Sequence, residues 1–330
     1  MKFTTSVVIP CYLPRASAND LSLLDKAILS AVEQDYPDEM EILLVDDGNK
    51  VSVENLIDIN SYPCNVRVIH QRRNMGLVLA LNRGINEAKF NFIARLDADD
   101  TWEPDKIRSQ FQLFSTDQDL TLVATGMTRV TPSGRVIDEH IRPDGWANIA
   151  RFFVEYGCPF PHGSVLGRKD IYQALGLYSQ DATFAHCEDY HLWGQWIRFF
   201  KTAMLEKSYY KYTVSSSSVS GQNSEQQSRA SQIVLHHFRA IGIDQSYVDD
   251  IGELSSILGV GKIEVGHLLL SIWRSTGAVL QIPSDILPIL RRIISDRTFY
   301  EVEEPNPVQF NISVNLNKLS NFVNVYITFA

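Results

Sequence analysis

The chain has 330 residues, a formal net charge of -9, 45% hydrophobic residues and 21% charged residues. This composition is that of soluble globular proteins and excludes a disordered or collagen-like chain. At roughly 100–200 residues per domain, the length predicts two domains or one large domain with an appendage. The negative balance opposes any affinity built on neutralising phosphates with Lys and Arg, so a nucleic-acid partner is not expected. Four cysteines, Cys11, Cys64, Cys158 and Cys187, lack the number and spacing of a disulfide framework or a zinc site and read as free thiols.

The amino terminus, Met1-Lys2-Phe3-Thr4-Thr5, enters a strand-like run without the apolar segment of a secretory signal. No run approaches the ~20 apolar residues of a spanning helix. The expectation is a cytoplasmic protein whose membrane contact is at most peripheral, at the inner face; homo-oligomerisation stays open.

Ser6-Val7-Val8-Ile9-Pro10 reads as a buried parallel strand ended by its proline. Leu21, Leu24, Ile28, Ala31 and Val32 then repeat at helical spacing behind Asn19 or Asp20 as N-cap, and Tyr36-Pro37 closes that helix. Glu41 to Val45 is a second buried strand, ending in the Asp46-Asp47-Gly48 turn, so the unit is βαβ and parallel. Val66 to Ile69 continues as a strand, Leu77 to Ala88 as a helix, and Phe90 to Leu96 as a strand. The alternation predicts a doubly wound α/β sheet, mixed but mainly parallel and flanked by helices. Its ligands gather at the carboxyl ends of strands, where Pro10, Asp46-Asp47 and Asp97-Ala98-Asp99-Asp100 all fall.

Beyond Pro104, a helix carrying Ile107, Phe111 and Phe114 leads to a strand at Leu122 to Thr125 and a hairpin turning at Pro132-Ser133-Gly134. The polar run from Ser215 to Ser224 reads as a linker and divides the chain into residues 1–220 and a mostly helical extension, 221–330. Ile233-Val234-Leu235 with Phe238, and Val265 through Trp273, are helical in pattern, whereas the segment from Phe310 alternates like an edge strand.

Three motifs can carry chemistry. Asp97, Asp99 and Asp100 crowd the end of an apolar strand, and their repulsion is relieved by a hard divalent cation, Mg²⁺ or Mn²⁺, with positions left for phosphate oxygens. On its own, the same pattern also describes an acidic turn before a helix. Asp46-Asp47-Gly48 can accept hydrogen bonds from a base or ribose, or be an ordinary Asp-Gly turn. Glu188-Asp189 opens an amphipathic run through Trp193, Trp196, Ile197 and Phe200. Asp189 is a candidate general base, and both acids also suit the positive end of a helix dipole.

Taken in order, these residues resemble the family 2 glycosyltransferases. The likeness runs through Val7-Val8-Ile9-Pro10-Cys11-Tyr12, Glu41 to Gly48, Asn74-Met75-Gly76 with Ala80-Leu81-Asn82-Arg83-Gly84, and Arg95-Leu96-Asp97-Ala98-Asp99-Asp100. It resumes at Pro161-His162-Gly163-Ser164-Val165 with Arg168, Gly176-Leu177-Tyr178, and Glu188-Asp189-Tyr190 with Leu192-Trp193. The resemblance covers about two thirds of the chain. It implies a GT-A fold and an inverting hexosyl transfer from a nucleotide-sugar donor, a UDP-sugar by preference. The implied acceptor is a glycan or lipid-linked oligosaccharide in capsule or O-antigen synthesis.

Carried over by position, the resemblance puts Pro10, Tyr12, Asp46, Asp47, Asn74, Gly76, Arg95, Asp97 and His162 at the nucleotide sugar. Asp97 and Asp99 become metal-diphosphate carboxylates, and Asp189 with Glu188 becomes the catalytic pair. The family's Asn after Tyr12 is Leu13 here. Where a distal metal-binding histidine often stands, the chain reads Tyr210-Lys211-Tyr212-Thr213-Val214-Ser215, which leaves His162 as a substitute for phosphate.

Arg72 and Arg73 read as solvated, His236-His237 as lacking partners for a metal, and Trp193, Trp196 and Phe199 as core. Leu268-Leu269-Leu270 and Ile294 are expected in ordinary helix packing rather than at a membrane. A dehydrogenase would need a glycine-rich turn where Pro10-Cys11-Tyr12 stands, and a receiver domain is shorter. The remaining alternative is a non-catalytic nucleotide-sugar or carbohydrate-binding protein on the same fold.

Overall fold

A computed structural model of the chain describes residues 3–63, 65–214, 224–238, 242–294, 297–301 and 322–329. Cys64, the linker 215–223 with Ser215 and the proposed boundary at 220, and residues 310–321 lie outside the described residues. Cys11, Cys158 and Cys187 are free thiols.

Nine strands form one mixed sheet in the order β3-β2-β1-β4-β8-β6-β9-β5, with β7 hairpinned onto β6. The strands are β1 (Thr5–Cys11), β2 (Met40–Asp46), β3 (Asn65–His70), β4 (Phe92–Arg95), β5 (Thr101–Trp102), β6 (Leu122–Val130), β7 (Val136–His140), β8 (Leu166–Arg168) and β9 (Thr202–Thr213). The first four are parallel neighbours, as the βαβ pattern predicts. The β6–β7 hairpin also stands where its turn residues put it. β5, β8 and β9 have no clear alternation, and pairing partners far away in the chain define them.

Alternate residues of the central strands enter two cores. Val8, Leu43 and Val45 face one layer with helices α2 (Leu77–Glu87), α4 (Trp146–Glu155), α5 (Lys169–Leu175) and α6 (Glu188–Phe199). Val7, Ile9, Ile42 and Leu44 face the other with α1 (Ala18–Val32) and α3 (Lys106–Thr116). Helix α1 starts earlier than Asn19. Ser17 is its N-cap, and Asp20, expected as a cap, is the N3 partner of a capping box.

Four more helices follow: α7 (Ser224–Phe238), α8 (Gln245–Leu258), α9 (Lys262–Arg274) and α10 (Leu287–Ile293). Leu268, Leu269, Leu270 and Ile294 are buried, as are Trp193, Trp196 and Phe199, so all of them belong to protein packing. Arg72, Arg73, His236 and His237 are exposed. Among the described residues, no single helix is long and apolar enough to cross a membrane.

The carboxyl-terminal end is not purely helical. β10 (Val279–Pro283), β11 (Arg297–Glu301) and β12 (Phe322–Phe329) form a second, antiparallel sheet. β12 is its central strand, which corrects the expectation of an edge strand. Alternation of buried Val325 and Ile327 with exposed Tyr326 reports a sheet with one covered face, and a central antiparallel strand shows that pattern as readily as an edge strand.

Gly84 is where α2 lies on the sheet. A Cβ there would come within 2.4 Å of Val8 Cγ1 and 3.1 Å of Val45 Cγ2. Gly→Ala inside a helix ordinarily stabilises by about 1 kcal/mol, but overpacking a tight core costs about 1–3 kcal/mol. Gly84→Ala is therefore expected to lower stability by up to about 2 kcal/mol in urea unfolding; a higher midpoint would show that α2 moves off the sheet freely.

Candidate active site

The sheet reverses direction at β1. The chain adds β2 and β3 on one side and returns to place β4 on the other, so the gap between β1 and β4 is the topological switch point where open α/β sheets bind ligands. β1 and β4 part early: their last pair is Val8 with Arg95, while β1 stays on β2 through Cys11. Val8 O accepts from Leu96 N, so Ser6, Val8 and Pro10 turn their main-chain groups toward β4. Pro10, which has no N–H, falls just where that ladder has ended. It is buried and does not end the strand, which runs on to Cys11.

The Asp46-Asp47-Gly48 turn holds the neighbouring loops together. Asp46 is 2% exposed and accepts from Asn49 N (2.9 Å), Asn49 Nδ2 (2.7 Å) and Val53 N (3.1 Å). Asp47, 3% exposed, accepts from Gln71 Nε2 (2.8 Å), Met75 N (2.7 Å) and Gly76 N (3.0 Å). Gly48, at φ +72°, lies so close to Arg73 and Asn74 that a Cβ would come within 2.1 Å of the Arg73 carbonyl carbon. One face of the crevice is thus a clamped pair of loops. From it, Tyr12, 48% exposed, and Asn74 reach solvent.

Across the gap, the acidic loop divides its carboxylates. Asp100 is fully buried, accepting from Tyr210 Oη and from Thr213 N (2.6 Å), and burial pushes its pKa well above the ordinary range. It ties the end of β9 to the loop, which corrects the expectation of three carboxylates crowded around one cation. Asp97 and Asp99 are left partly open. The Arg95 guanidinium forms a bidentate pair with Asp97. Burial, then the charge of Asp97, raises Asp99 to about 6. Arg95 itself is 3% exposed and its Nε has no hydrogen-bond partner among the described residues. Its place is beneath the carboxylates, so it positions Asp97 instead of lining the nucleotide-sugar crevice as the resemblance implied.

Asp189 stands in the first turn of α6. Its Oδ1 accepts from its neighbour's amide, Tyr190 N, at 2.7 Å. Among the described residues, its Oδ2 has long contacts to Cys158 Sγ and His162 Nδ1, both at 3.9 Å. Burial, then the charge of Glu188, raises Asp189 to about 7, and burial raises Glu188 as well. The charge of Arg95 opposes both shifts and that of Asp99, and Asp97 acts on Glu188. The loop after β4 and the start of α6 therefore share one electrostatic site.

His162 lies beside Asp189, and its ring is set among Asp189, Tyr178 and Trp193 rather than against Asp97 or Asp99. Its Nε2 pairs with Tyr178 Oη at 2.8 Å, and burial, then Arg95, keeps it neutral by lowering its pKa. Tyr178 is held in turn by Asn82, which donates to Tyr178 O at 2.9 Å and accepts from Tyr178 N at 3.0 Å. Leu177, at φ +67°, takes the left-handed conformation that delivers Tyr178 to this position. Asn82, Cys158, Tyr178 and Tyr210 had no role assigned from sequence. Asn82 and Tyr178 stand in matching motifs, but their pairing across 96 residues has no local signature.

Among the described residues, no three His, Cys, Asp or Glu side chains form a metal site by themselves. Mg²⁺ and Mn²⁺ commonly rest on one or two carboxylates and complete their shell with water and substrate phosphates. Asp97 and Asp99, two partly open hard-oxygen groups in mutual repulsion, fit that kind of ion together with a diphosphate.

A mixed, mostly parallel sheet flanked by helices, with acidic loops at its switch point and an acidic pair opening α6, defines a GT-A type glycosyltransferase fold. The chain belongs to glycosyl transferase family 2, whose model matches residues 6–176. An uncharacterized glycosyltransferase of Rickettsia bellii is 28% identical over 228 residues, 67% of this chain and 32% of its own length. This chain thus matches about a third of that relative. One from Haemophilus influenzae is 23% identical over 264 residues, 76% of this chain and 79% of its own. S. aureus TarS 1-349 in complex with UDP-GlcNAc has a TM-score of 0.53 at 17% identity, covering 95% of this chain and 98% of that one. The mannosyltransferase PcManGT of Pyrobaculum calidifontis, in complex with GDP-Man and Mn²⁺, has a TM-score of 0.50 at 15% identity, covering 89% of this chain and 75% of that one. At these identities the structural likeness is one of fold.

A carboxyl raised to about 7 in the fold binds its proton more tightly there than in the unfolded chain. Its ionisation penalty is absent below an unfolded pKa of about 4 and fully present above pH 7. Asp189→Asn is therefore expected to raise the melting temperature at pH 8, with the gain shrinking as pH falls from 7 toward 4. A melting-temperature difference that stays constant from pH 4 to pH 8 would contradict the raised pKa.

Proposed function

We propose that this chain is an inverting, metal-dependent glycosyltransferase that moves a hexosyl unit from a UDP-sugar to a hydroxyl of a glycan acceptor. By resemblance, that acceptor is lipid-linked and serves the synthesis of a surface polysaccharide such as capsule or O-antigen. The observation that carries this reading is the meeting of Asp97 and Asp99 with Asp189 in the field of one buried arginine. The complexes of TarS with UDP-GlcNAc and of PcManGT with GDP-Man support a nucleotide-sugar donor.

In this mechanism, Tyr12 and Asn74 border the nucleoside, while Asp97 and Asp99 are the carboxylates that would hold a divalent ion beside the diphosphate. A bound Mg²⁺ or Mn²⁺ supplies Lewis-acid charge against the negative charge of the leaving group. Asp189 Oδ2 takes the proton of the acceptor hydroxyl. The acceptor oxygen bonds to the anomeric carbon as the bond from that carbon to the diphosphate oxygen breaks, and the electron pair leaves with the nucleoside diphosphate. Attack from the face opposite the leaving group inverts the anomeric configuration. Neutral His162, fixed by Tyr178, stands beside the base, and burial together with the charge of Glu188 keeps Asp189 ready to accept a proton near neutral pH.

Nucleoside diphosphate release from a panel of UDP- and GDP-sugars, with and without Mn²⁺, tests this reading. UDP-sugars with Mn²⁺ are expected to support turnover. Asp189→Asn should lower turnover by about 10²–10⁴-fold, the usual contribution of a general base, while still binding UDP. Asp99→Ala should lose both transfer and the Mn²⁺ response. Wild-type turnover in Asp189→Asn would remove it from the base role, and GDP-sugar preference would overturn the donor assignment. With Asp189 as base, kcat/KM should rise with pH through about 7, and a flat profile would point to a different base.

A further inference from the structure

A cleft of about 320 Å³ opens on Asp189 from the side of the carboxyl-terminal helices. One wall is the end of α4, with Glu155, and the segment after it, with Tyr156 and Cys158; the other is α7, through Gln227, Ser231 and Leu235. None of the strand-end residues Pro10, Tyr12, Asp47, Asp97 or Asp99 lines it. Of the four acids assigned to catalysis or metal binding, it meets only the base. An in-line displacement needs such a space, because the attacking hydroxyl must reach the base away from the departing diphosphate.

We propose that this cleft is the acceptor subsite, with α7 as its far wall, Tyr156 as a stacking platform and Gln227 and Ser231 as hydrogen-bonding groups for the acceptor's terminal sugar. The proposal rests on the glycosyltransferase reading above and adds the side chains that select the acceptor. Tyr156 is 74% exposed, with a tilted contact to Phe152 at 5.2 Å. An aromatic face beside an amide and a hydroxyl suits a pyranose, which has an apolar C–H face and a polar rim. The volume is near the lower end of small-molecule sites, about 300–1,000 Å³, and suits a terminal sugar rather than a long stretch of polymer. Glu155 at the rim disfavours an anionic group, so the sugar bound here is uncharged.

The wall is held in register with the base. Gln227 Nε2 donates to His186 O at 3.2 Å, and Cys187 Sγ contacts Gln227 O at 3.3 Å and Ser231 Oγ at 3.1 Å. These contacts hold the turn before Glu188-Asp189, where His186 adopts a left-handed φ of 64°. Gln227 Oε1 has no protein donor among the described residues and remains available to a ligand hydroxyl.

The test uses the full chain, Mn²⁺ and the UDP-sugar that gives the fastest UDP release. The p-nitrophenyl glycosides of glucose, galactose and N-acetylglucosamine serve as acceptors. In wild type, at least one glycoside should stimulate UDP release above the acceptor-free rate. Tyr156→Ala and Gln227→Ala should each raise KM for that glycoside by about three- to tenfold, as loss of one aromatic or polar contact implies. UDP affinity, acceptor-free hydrolysis and melting temperature should stay at wild-type values in Tyr156→Ala, whose side chain lies mostly in solvent. Unchanged KM in both variants would overturn the subsite, as would failure of every glycoside to stimulate wild type. Absence of both UDP binding and acceptor-free hydrolysis in wild type would instead refute the glycosyltransferase reading and the subsite with it.

Discussion

The site depends on one buried positive charge. Arg95 closes the last register pair between β1 and β4, and its guanidinium has almost no access to water. A cation in that position is tolerable only when paired, and breaking such a pair costs about 3–5 kcal/mol. Asp97 supplies the direct partner, while Asp99, Glu188 and Asp189 feel the same charge more weakly. Burial raises the pKa values of these three acids, neighbouring carboxylates add to the rise, and Arg95 offsets part of it. Asp99 raised to about 6 and Asp189 raised to about 7 follow from that desolvation and from the like charge beside each.

Around this charge the scaffold is rigid in unequal ways. The β1–β2 side of the crevice is clamped by main-chain donors on Asp46 and Asp47, which makes those two carboxylates loop-holding groups. On the opposite side, α6 is fixed by the carboxyl-terminal helices. Phe238 of α7 packs against Gly194 so closely that a Cβ there would sit 2.6 Å from its ring, and Tyr247 of α8 donates to Arg198 O. One hydrophobic core runs from β1 and β2 through α6 into α7–α10 and the second sheet. The described residues from α7 onward therefore pack on α6 directly, and that packing is a condition for the geometry of Asp189.

Much of the first half was legible because its signals are local. Buried parallel strands read as continuous apolar runs, α2 and α3 show their apolar stripes, and Pro132-Ser133-Gly134 marks a hairpin. The motifs that carry the family likeness stand at strand ends and helix starts, where turn chemistry is written in adjacent residues. Legibility fails where the partner is remote. β9 takes its place from pairing with β6 and β5, and Asp100 cannot be told from Asp97 or Asp99 until Tyr210 and Thr213 arrive beneath it.

From its order of residues alone, the chain specified an α/β sheet, the loops at its carboxyl edge, and the acids those loops carry. These are consequences of periodicity, turn preference and charge within windows of a few residues. Tertiary structure alone decided what each acid does: Asp46, Asp47 and Asp100 hold loops, Asp97 and Asp99 stay partly open, and Asp189 faces a cleft walled by α7. Those roles depend on desolvation and on donors contributed from tens of residues away, neither of which a local stretch of sequence contains.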